Sequence, residues 1–330
     1  MDRTVRLPGA RHGLCIHGMS IKPASANRPR VGSIGVLGLG CTAVDDVLYV
    51  ASFPASDEKM RVERSARRCG GLTGVALVTA ARLGACCEYG GCLGNDEYSR
   101  CITEDFQREG VGITHAARLN EARVVHSVIV VGQDTASRNI FYEASGLIGA
   151  HDSLPAEEVI LASKVLFIDQ YGMQGNLRAA RVARDAGVPV IADFEDADVP
   201  LFAEVLDCVD HLVLSEDFAR KLTGAASAAG AAMELWSEKR SAVVITSGGQ
   251  GCWTVSADAP SRARHHPAFP VKAVDTTGCG DVFHGAYAAR LARGEILSGR
   301  IRFASAAAAL KASTATIPTL ATVEEFLRTR

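Results

Sequence analysis

Short uninterrupted apolar runs recur along the chain, and each stops at a polar residue or a glycine. They are SIGVLGLG (Ser33–Gly40), KVLFID (Lys164–Asp169), VPVIAD (Val188–Asp193), HLVLS (His211–Ser215) and AVVITSG (Ala242–Gly248). Patterns of helical period lie between them. In LTGVALVTAARLG, residues Leu72, Val75, Ala76, Thr79, Ala80 and Leu83 share one 3.6-period face, and Asn176–Ala186 and Ala229–Lys239 also read as helices. A strand with no polar alternation is buried on both faces, which helices supply in a parallel sheet. The chain is therefore expected to be an α/β protein with its ligand beyond the carboxyl ends of the strands.

Two segments interrupt this order. Residues 45–68 read as a strand pair joined by a Pro/Ser/Asp turn, and residues 122–143 as a second hairpin. Together they predict either a small separate sheet, a candidate lid, or an extension of the main sheet's edge. Apolar residues in the second hairpin, such as Val128, Ile129 and Val130, are expected to be exposed there and to pair two copies of the chain into a homodimer.

Bulk properties exclude several classes. With 330 residues, 48% of them hydrophobic, the chain can bury a sizeable core. A net charge of -2 provides no field for nucleic acid or an anionic membrane, and no apolar run is long enough to cross a bilayer. Residues 1–32 are basic and lack the apolar stretch of a secretory signal, so they are expected to be a disordered tail. The ten cysteines form no Cys-x-x-Cys pair, which argues for packing roles in a reducing cytoplasm. His265 and His266, in RARHHPAFP, read as part of an exposed connection, and His284 as packed or hydrogen-bonded.

The segment DTTGCGDVFHGAYAAR (Asp275–Arg290) carries the chemistry. An apolar stripe of Val282, Phe283, Ala286 and Ala289 places the start of a helix near Asp281. The first turn of a helix has N–H groups without partners and a partial positive charge, and preceding glycines open it to an anion. A carboxylate beside such a site has a use if it takes the proton from a hydroxyl attacking phosphorus. The alternative is that Asp281 merely caps the helix.

DTTGCGD resembles the Asp/Asn-Thr-x-Gly-Ala-Gly-Asp motif of the ribokinase-like (PfkB) carbohydrate kinases. The resemblance implies a three-layer α/β sandwich with a mainly parallel central sheet and a small β lid over residues 33–330. It makes Asp281 the catalytic base and Gly278, Cys279 and Gly280 the anion hole. It also implies ATP and Mg2+ as cofactors, and a monovalent cation, K+, beside Asp275 and Thr277. VITSGGQGCW is similar to the family's nucleotide loop, giving Thr246, Gly248 and Gly251, and FASAAAALKAS to the helix along the adenine, with Ser305 and Ala309. GCTAVDDVLYV and CGGLTG match the sugar-binding segments, giving Asp45, Gly70 and Gly71, and Arg138 in the hairpin is placed to meet an anionic group of the substrate. LGNDEYS resembles a further family run, with Gly94 and Asp96 kept and Ser99 in place of glycine.

The chain departs from the family pattern at two places. Val75 stands where an asparagine is usual, and Ser215-Glu216-Asp217-Phe218 replaces Asn-x-x-Glu, leaving Glu216, Asp217, Asp193 and Glu195 as carboxylates available to magnesium. Asp-Val-Phe-His-Gly-Ala and the lost asparagine look most like the sulfofructose kinase branch, which implies a ketose-like or modified sugar. Two alternatives stay open: a nucleoside kinase of the same fold, and a catalytically inactive sugar sensor. A dehydrogenase reading of GLGCTA (Gly38–Ala43), with Glu58 as its acidic residue, fails because β-branched and aromatic residues follow where a helix must begin.

Overall fold

Successive side chains of the central strands point into two different cores. Val36, Phe167 and Ile191 belong to one, and Leu37, Leu39, Leu166, Ile168, Val190 and Ala192 to the other. This period-two alternation, apolar on both sides, is what a sheet sandwiched between helical layers requires. A computed structural model describes residues 33–134 and 137–330; the tail expected over residues 1–32 lies outside the described residues.

Among the described residues the central sheet has nine strands. Their spatial order is Ala259–His266, Cys252–Ser256, Ala242–Thr246, His211–Ser215, Val190–Asp193, Leu166–Asp169, Val36–Leu39, Cys87–Tyr89 and Val111–Gly112. Pairing is parallel from Ala242–Thr246 to Val111–Gly112 and antiparallel at the other edge. The two interrupting segments form a separate four-stranded sheet, in the order Arg64–Gly70, Ala43–Val50, Val125–Gly132, Ser137–Glu143. Each segment is a hairpin as expected, and parallel pairing of Ala43–Val50 with Val125–Gly132 joins them. A strand, not a helix, thus follows GLGCTA, against the dehydrogenase reading.

The expected exposure of Val128–Val130 is corrected by this arrangement. Their strand is internal to the small sheet, and Ile129 is buried. The exposed apolar residues are Ile140, Phe141 and Tyr142, on the outer strand Ser137–Glu143.

Helix Leu72–Arg82 buries more than the expected face, including Leu77 and Val78, because it lies between the sheet and helix Cys279–Leu291. The two helices cross so closely that a Cβ on Gly285 would stand 2.2 Å from the Ala76 carbonyl oxygen. Helix Met173–Asp185 starts before the expected Asn176, whose side-chain amide instead donates to the carbonyls of Asp169 and Tyr171. Helix Ala228–Leu235 stops short of the expected Lys239. Trp236 is extended, and the Arg240 guanidinium takes the Leu235, Leu206 and Val209 carbonyls. No helix among the described residues is long and apolar enough to cross a membrane.

Candidate active site

Four polar residues end neighbouring parallel strands: Asp169, Asp193, Ser215 and Thr246. Their registers set Asp169 opposite Asp193 and Ser215 opposite Thr246, so the carboxyl edge is a polar row above an apolar sheet. Asp169 is fully buried and accepts hydrogen bonds from Cys41 N–H, the Thr73 hydroxyl and Tyr171 N–H at 2.8, 2.8 and 2.9 Å. Burial raises its pKa to about 6 even though these donors favour the anion.

Helix Cys279–Leu291 begins at this edge, two residues before the expected start. Gly278 caps it with φ of 73°, a left-handed conformation that favours glycine. Asp281 is therefore inside the first turn and is not the N-cap, which removes the capping alternative. A Cβ on Gly278 would stand 3.5 Å from Asp281 Oδ2 and 4.0 Å from Val75 Cγ1, so the carboxylate folds back over the glycine loop beside Val75. Burial and then Asp193 push the Asp281 pKa well up, with His284 opposing them.

The loop amides are not equivalent. Cys279 N–H turns back to the Thr276 carbonyl at 3.3 Å, so of the expected anion-hole residues it is the one already engaged. Gly280 faces open space, with no atom within 4 Å of where a Cβ would be. In the first turn, the Gly280 and Asp281 N–H groups have no intrahelical acceptor.

His284 is buried beneath this turn. One ring nitrogen lies 2.8 Å from the Gly280 carbonyl and 3.3 Å from Asp193 Oδ2, and the other lies 2.9 Å from the Val213 carbonyl. Both ring nitrogens thus have a polar neighbour, and one of them also faces Asp193. His284 is packed and hydrogen-bonded as expected, and it ties the first turn to the sheet.

A cavity of about 630 Å³ extends from this turn along the sheet edge. All five residues expected around the nucleotide, Thr246, Gly248, Gly251, Ser305 and Ala309, line it, together with Cys279 and Gly280. Glu216 and Asp217 also line it, at the start of helix Glu216–Thr223, where the Ser215 hydroxyl accepts from Phe218 N–H as a cap. Sequence reasoning missed one wall. RARHHPAFP was expected to be an exposed connection, but its histidines end a strand and Ala268, Phe269 and Pro270 line the cavity. Nothing local in the sequence signalled that wall.

On the small sheet, Asp45 accepts from the Ser127 hydroxyl, and its charge acts on Asp281 across the cleft. Burial raises the Asp45 pKa, against the Ser127 bond and Arg68. A Cβ on Gly70 would stand 2.5 Å from Asp45 Oδ2, and Gly71 caps helix Leu72–Arg82. Arg138 is exposed on the outer strand, and its charge reaches Cys279. Asp96 accepts from the Ser99 N–H and hydroxyl, and the same hydroxyl accepts from Gly94 N–H, so that run caps helix Glu97–Glu109.

Asp275 Oδ1 accepts from Thr277 N–H at 2.9 Å. Its Oδ2 faces Lys311 Nζ, a residue sequence reasoning did not single out. Burial pushes the Asp275 pKa up, but the Thr277 amide and the Lys311 charge hold it below the usual carboxylate range.

The pfkB family carbohydrate kinase model matches residues 36–317. The chain is 29% identical to the ribokinase of Haemophilus influenzae over 302 residues, covering 88% of this chain and 97% of the relative. The crystal structure of ribokinase from Thermotoga maritima superposes with a TM-score of 0.76 at 25% identity, covering 91% of this chain and all of the other. The Arabidopsis thaliana ribokinase complexed with ribose and ATP gives a TM-score of 0.76 at 22% identity, covering 89% of this chain and 98% of that one. A parallel sheet with a separate small sheet, an aspartate in the first turn of a glycine-capped helix and these likenesses agree: the chain belongs to the pfkB family of carbohydrate kinases, and is a phosphotransferase with an alcohol group as acceptor.

Proposed function

We propose that this enzyme transfers the γ-phosphate of ATP to a hydroxyl of a small sugar or sugar derivative. The place of Asp281 carries the reading. It stands in the first turn of a helix whose open amides face the cavity, within electrostatic reach of Asp45 on the small sheet. ATP lies along the cavity, its adenine beside Ser305 and Ala309 and its phosphates over Thr246, Gly248 and Gly251. Asp45 and the Gly70–Gly71 backbone hold the sugar, and Arg138 meets an anionic group on a ketose-like or modified sugar.

Asp281 accepts the hydroxyl proton as the sugar oxygen attacks the γ-phosphorus in line, and the bond to the ADP oxygen breaks. A carboxylate whose pKa is raised is a better proton acceptor at neutral pH. The anion hole of Gly278, Cys279 and Gly280, in which the Gly280 amide is the open donor and the Asp281 N–H adds a second, stabilises the charge on the transferring group. Glu216 and Asp217 suit magnesium, since hard carboxylate oxygens on the cavity wall would hold it through its waters. When bound, the ion neutralises phosphate charge. Closure of the small sheet as a lid excludes water and suppresses hydrolysis. We place the enzyme in the cytoplasm, where its thiols stay reduced, as a homodimer paired through the exposed Ile140, Phe141 and Tyr142 of the lid.

The test is ADP release in the presence of ribose, fructose, acidic ketoses and nucleosides, with a no-acceptor control. Sugar-dependent release is expected. Release with nucleosides alone makes the chain a nucleoside kinase, and a sugar-induced rise in Tm without turnover makes it a sensor.

A further inference from the structure

The family resemblance implies a potassium ion beside the glycine loop, with Asp275 and Thr277 as its ligands. The surroundings of Asp275 do not suit one. One carboxylate oxygen takes the Thr277 N–H, and the other faces Lys311 Nζ at 3.5 Å and Arg68 Nη1 at 3.4 Å. The two cations differ in burial. The Lys311 side chain is 8% exposed and that of Arg68 is 41% exposed. The ammonium is thus enclosed at the root of the loop, whereas the guanidinium comes from the small sheet and is open to solvent.

The backbone fixes this placement. The carbonyl of Ala312, next to Lys311 on helix Leu297–Thr314, accepts from both Val274 N–H and Asp275 N–H at 2.7 and 3.1 Å. The carboxylate and the ammonium are therefore delivered by two segments that are hydrogen-bonded together at the same point. A buried ammonium needs an opposite charge, and Asp275 supplies it. A potassium ion at the same oxygen would meet Lys311 at close range, where like charges repel strongly.

We infer that the Lys311 ammonium takes the place of the monovalent cation beside the anion loop, so that this kinase works without potassium. The inference rests on the sugar-kinase reading for its activity arm only. The ammonium neutralises Asp275 and so steadies the Asp275–Thr277 turn that leads into Gly278. Lys311 is a positioning residue in this role, since it acts through the loop and touches no reacting atom.

The wild-type enzyme is assayed and melted in potassium-free buffer, then with about 100 mM KCl, with tetramethylammonium chloride at equal ionic strength as control. Less than about a threefold potassium-specific change in kcat, and no potassium-specific shift in Tm, are expected. The Lys311→Met variant should lose about tenfold or more in kcat without potassium, recover with it, and acquire a potassium-specific rise in Tm. Lys311→Arg, which keeps the charge, should behave as the wild type. Potassium stimulation of the wild type above about threefold, or a potassium-specific rise in its Tm, overturns the inference. So does a Lys311→Met variant as active and as stable as the wild type without potassium. If Lys311→Met fails to fold, the wild-type and Lys311→Arg measurements decide. If no sugar gives turnover, the sugar-kinase reading fails, and the Tm measurements still decide this one.

Discussion

Strand Leu166–Asp169 of the central sheet is buried at every residue, and strand Ser137–Glu143 of the small sheet is exposed at every residue. The first has helices on both faces and cannot lose a side chain without leaving a void. The second has one neighbouring strand and otherwise faces solvent. One chain thus carries an enclosed region and an open one, and the candidate active site lies where they face each other. Its groups obey neither rule. Asp281 and Asp193 are acids that burial first, and then neighbouring carboxylates, make costly to ionise: Asp193 acts on Asp281, and Glu195 and Asp169 act on Asp193, as expected where chemistry rather than stability sets the residue.

The sharpest way to break this comparison is at the cleft. Asp281→Asn should lower kcat by about 10²- to 10⁴-fold. Its Tm should stay level or rise, because the variant removes a charge that burial disfavours. A fall in both would mean that Asp281 belongs to the structural region. Next come the two sheets themselves. Phe167→Ala empties a fully buried site and should cost about 3–5 kcal/mol, measured by urea denaturation. Phe141→Ala, at 62% exposure in one subunit, should change stability by less than about 0.5 kcal/mol at protein concentrations too low for pairing, and should weaken the proposed dimer at higher ones. A loss at Phe141 that is equally large at every protein concentration would show that the outer strand packs within one subunit and is no dimer face.

The sheet edge gives a pH signature. The folded pKa of Asp169, about 6, lies above the ordinary 3.8, so the folded state holds this proton more tightly than the unfolded chain does. Its contribution to stability is complete below about pH 4 and is lost as pH rises through 6. At 1.36 kcal/mol per pH unit, the elevation from 3.8 to about 6 amounts to about 3 kcal/mol. Asp169→Asn should therefore gain stability relative to the wild type as pH rises from 4 to 7, measured as the difference between their Tm profiles. A difference that is flat with pH would mean that Asp169 folds with its ordinary pKa. The smallest effect is expected at the small sheet. Arg138→Ala should raise KM for an anionic sugar by a few-fold to about tenfold, with Tm and the KM for ATP unchanged.

The alternation of apolar runs with helical patterns was enough to read the α/β class, because strands buried on both faces permit no polar alternation. The glycine-flanked Asp281 could be read because a helix N-terminus is a local feature, complete within a few residues. That the five residues expected around the nucleotide lie along one edge was also legible, since they follow a strand or sit on a helix whose pattern brings them there, and they line one cavity. The wall at Ala268–Pro270 was not, because a loop has no periodicity to say what it faces. The start of the helix at Cys279, and the end of the earlier one at Leu235, depended on a left-handed glycine and on Arg240, which also takes the carbonyls of Leu206 and Val209, 34 and 31 residues back.

The sequence by itself determined the layers, the two hairpins and the carboxylate at the mouth of a helix, since backbone sterics and apolar period act over a few neighbouring residues. Only the tertiary structure decided which charges meet. It brought Asp169 to Cys41 and Thr73, 128 and 96 residues away, set His284 between two carbonyls and Asp193, and placed Lys311 against Asp275. Charges removed from water must find partners within a few ångströms, and which segments come that close is fixed by the packing of the whole chain.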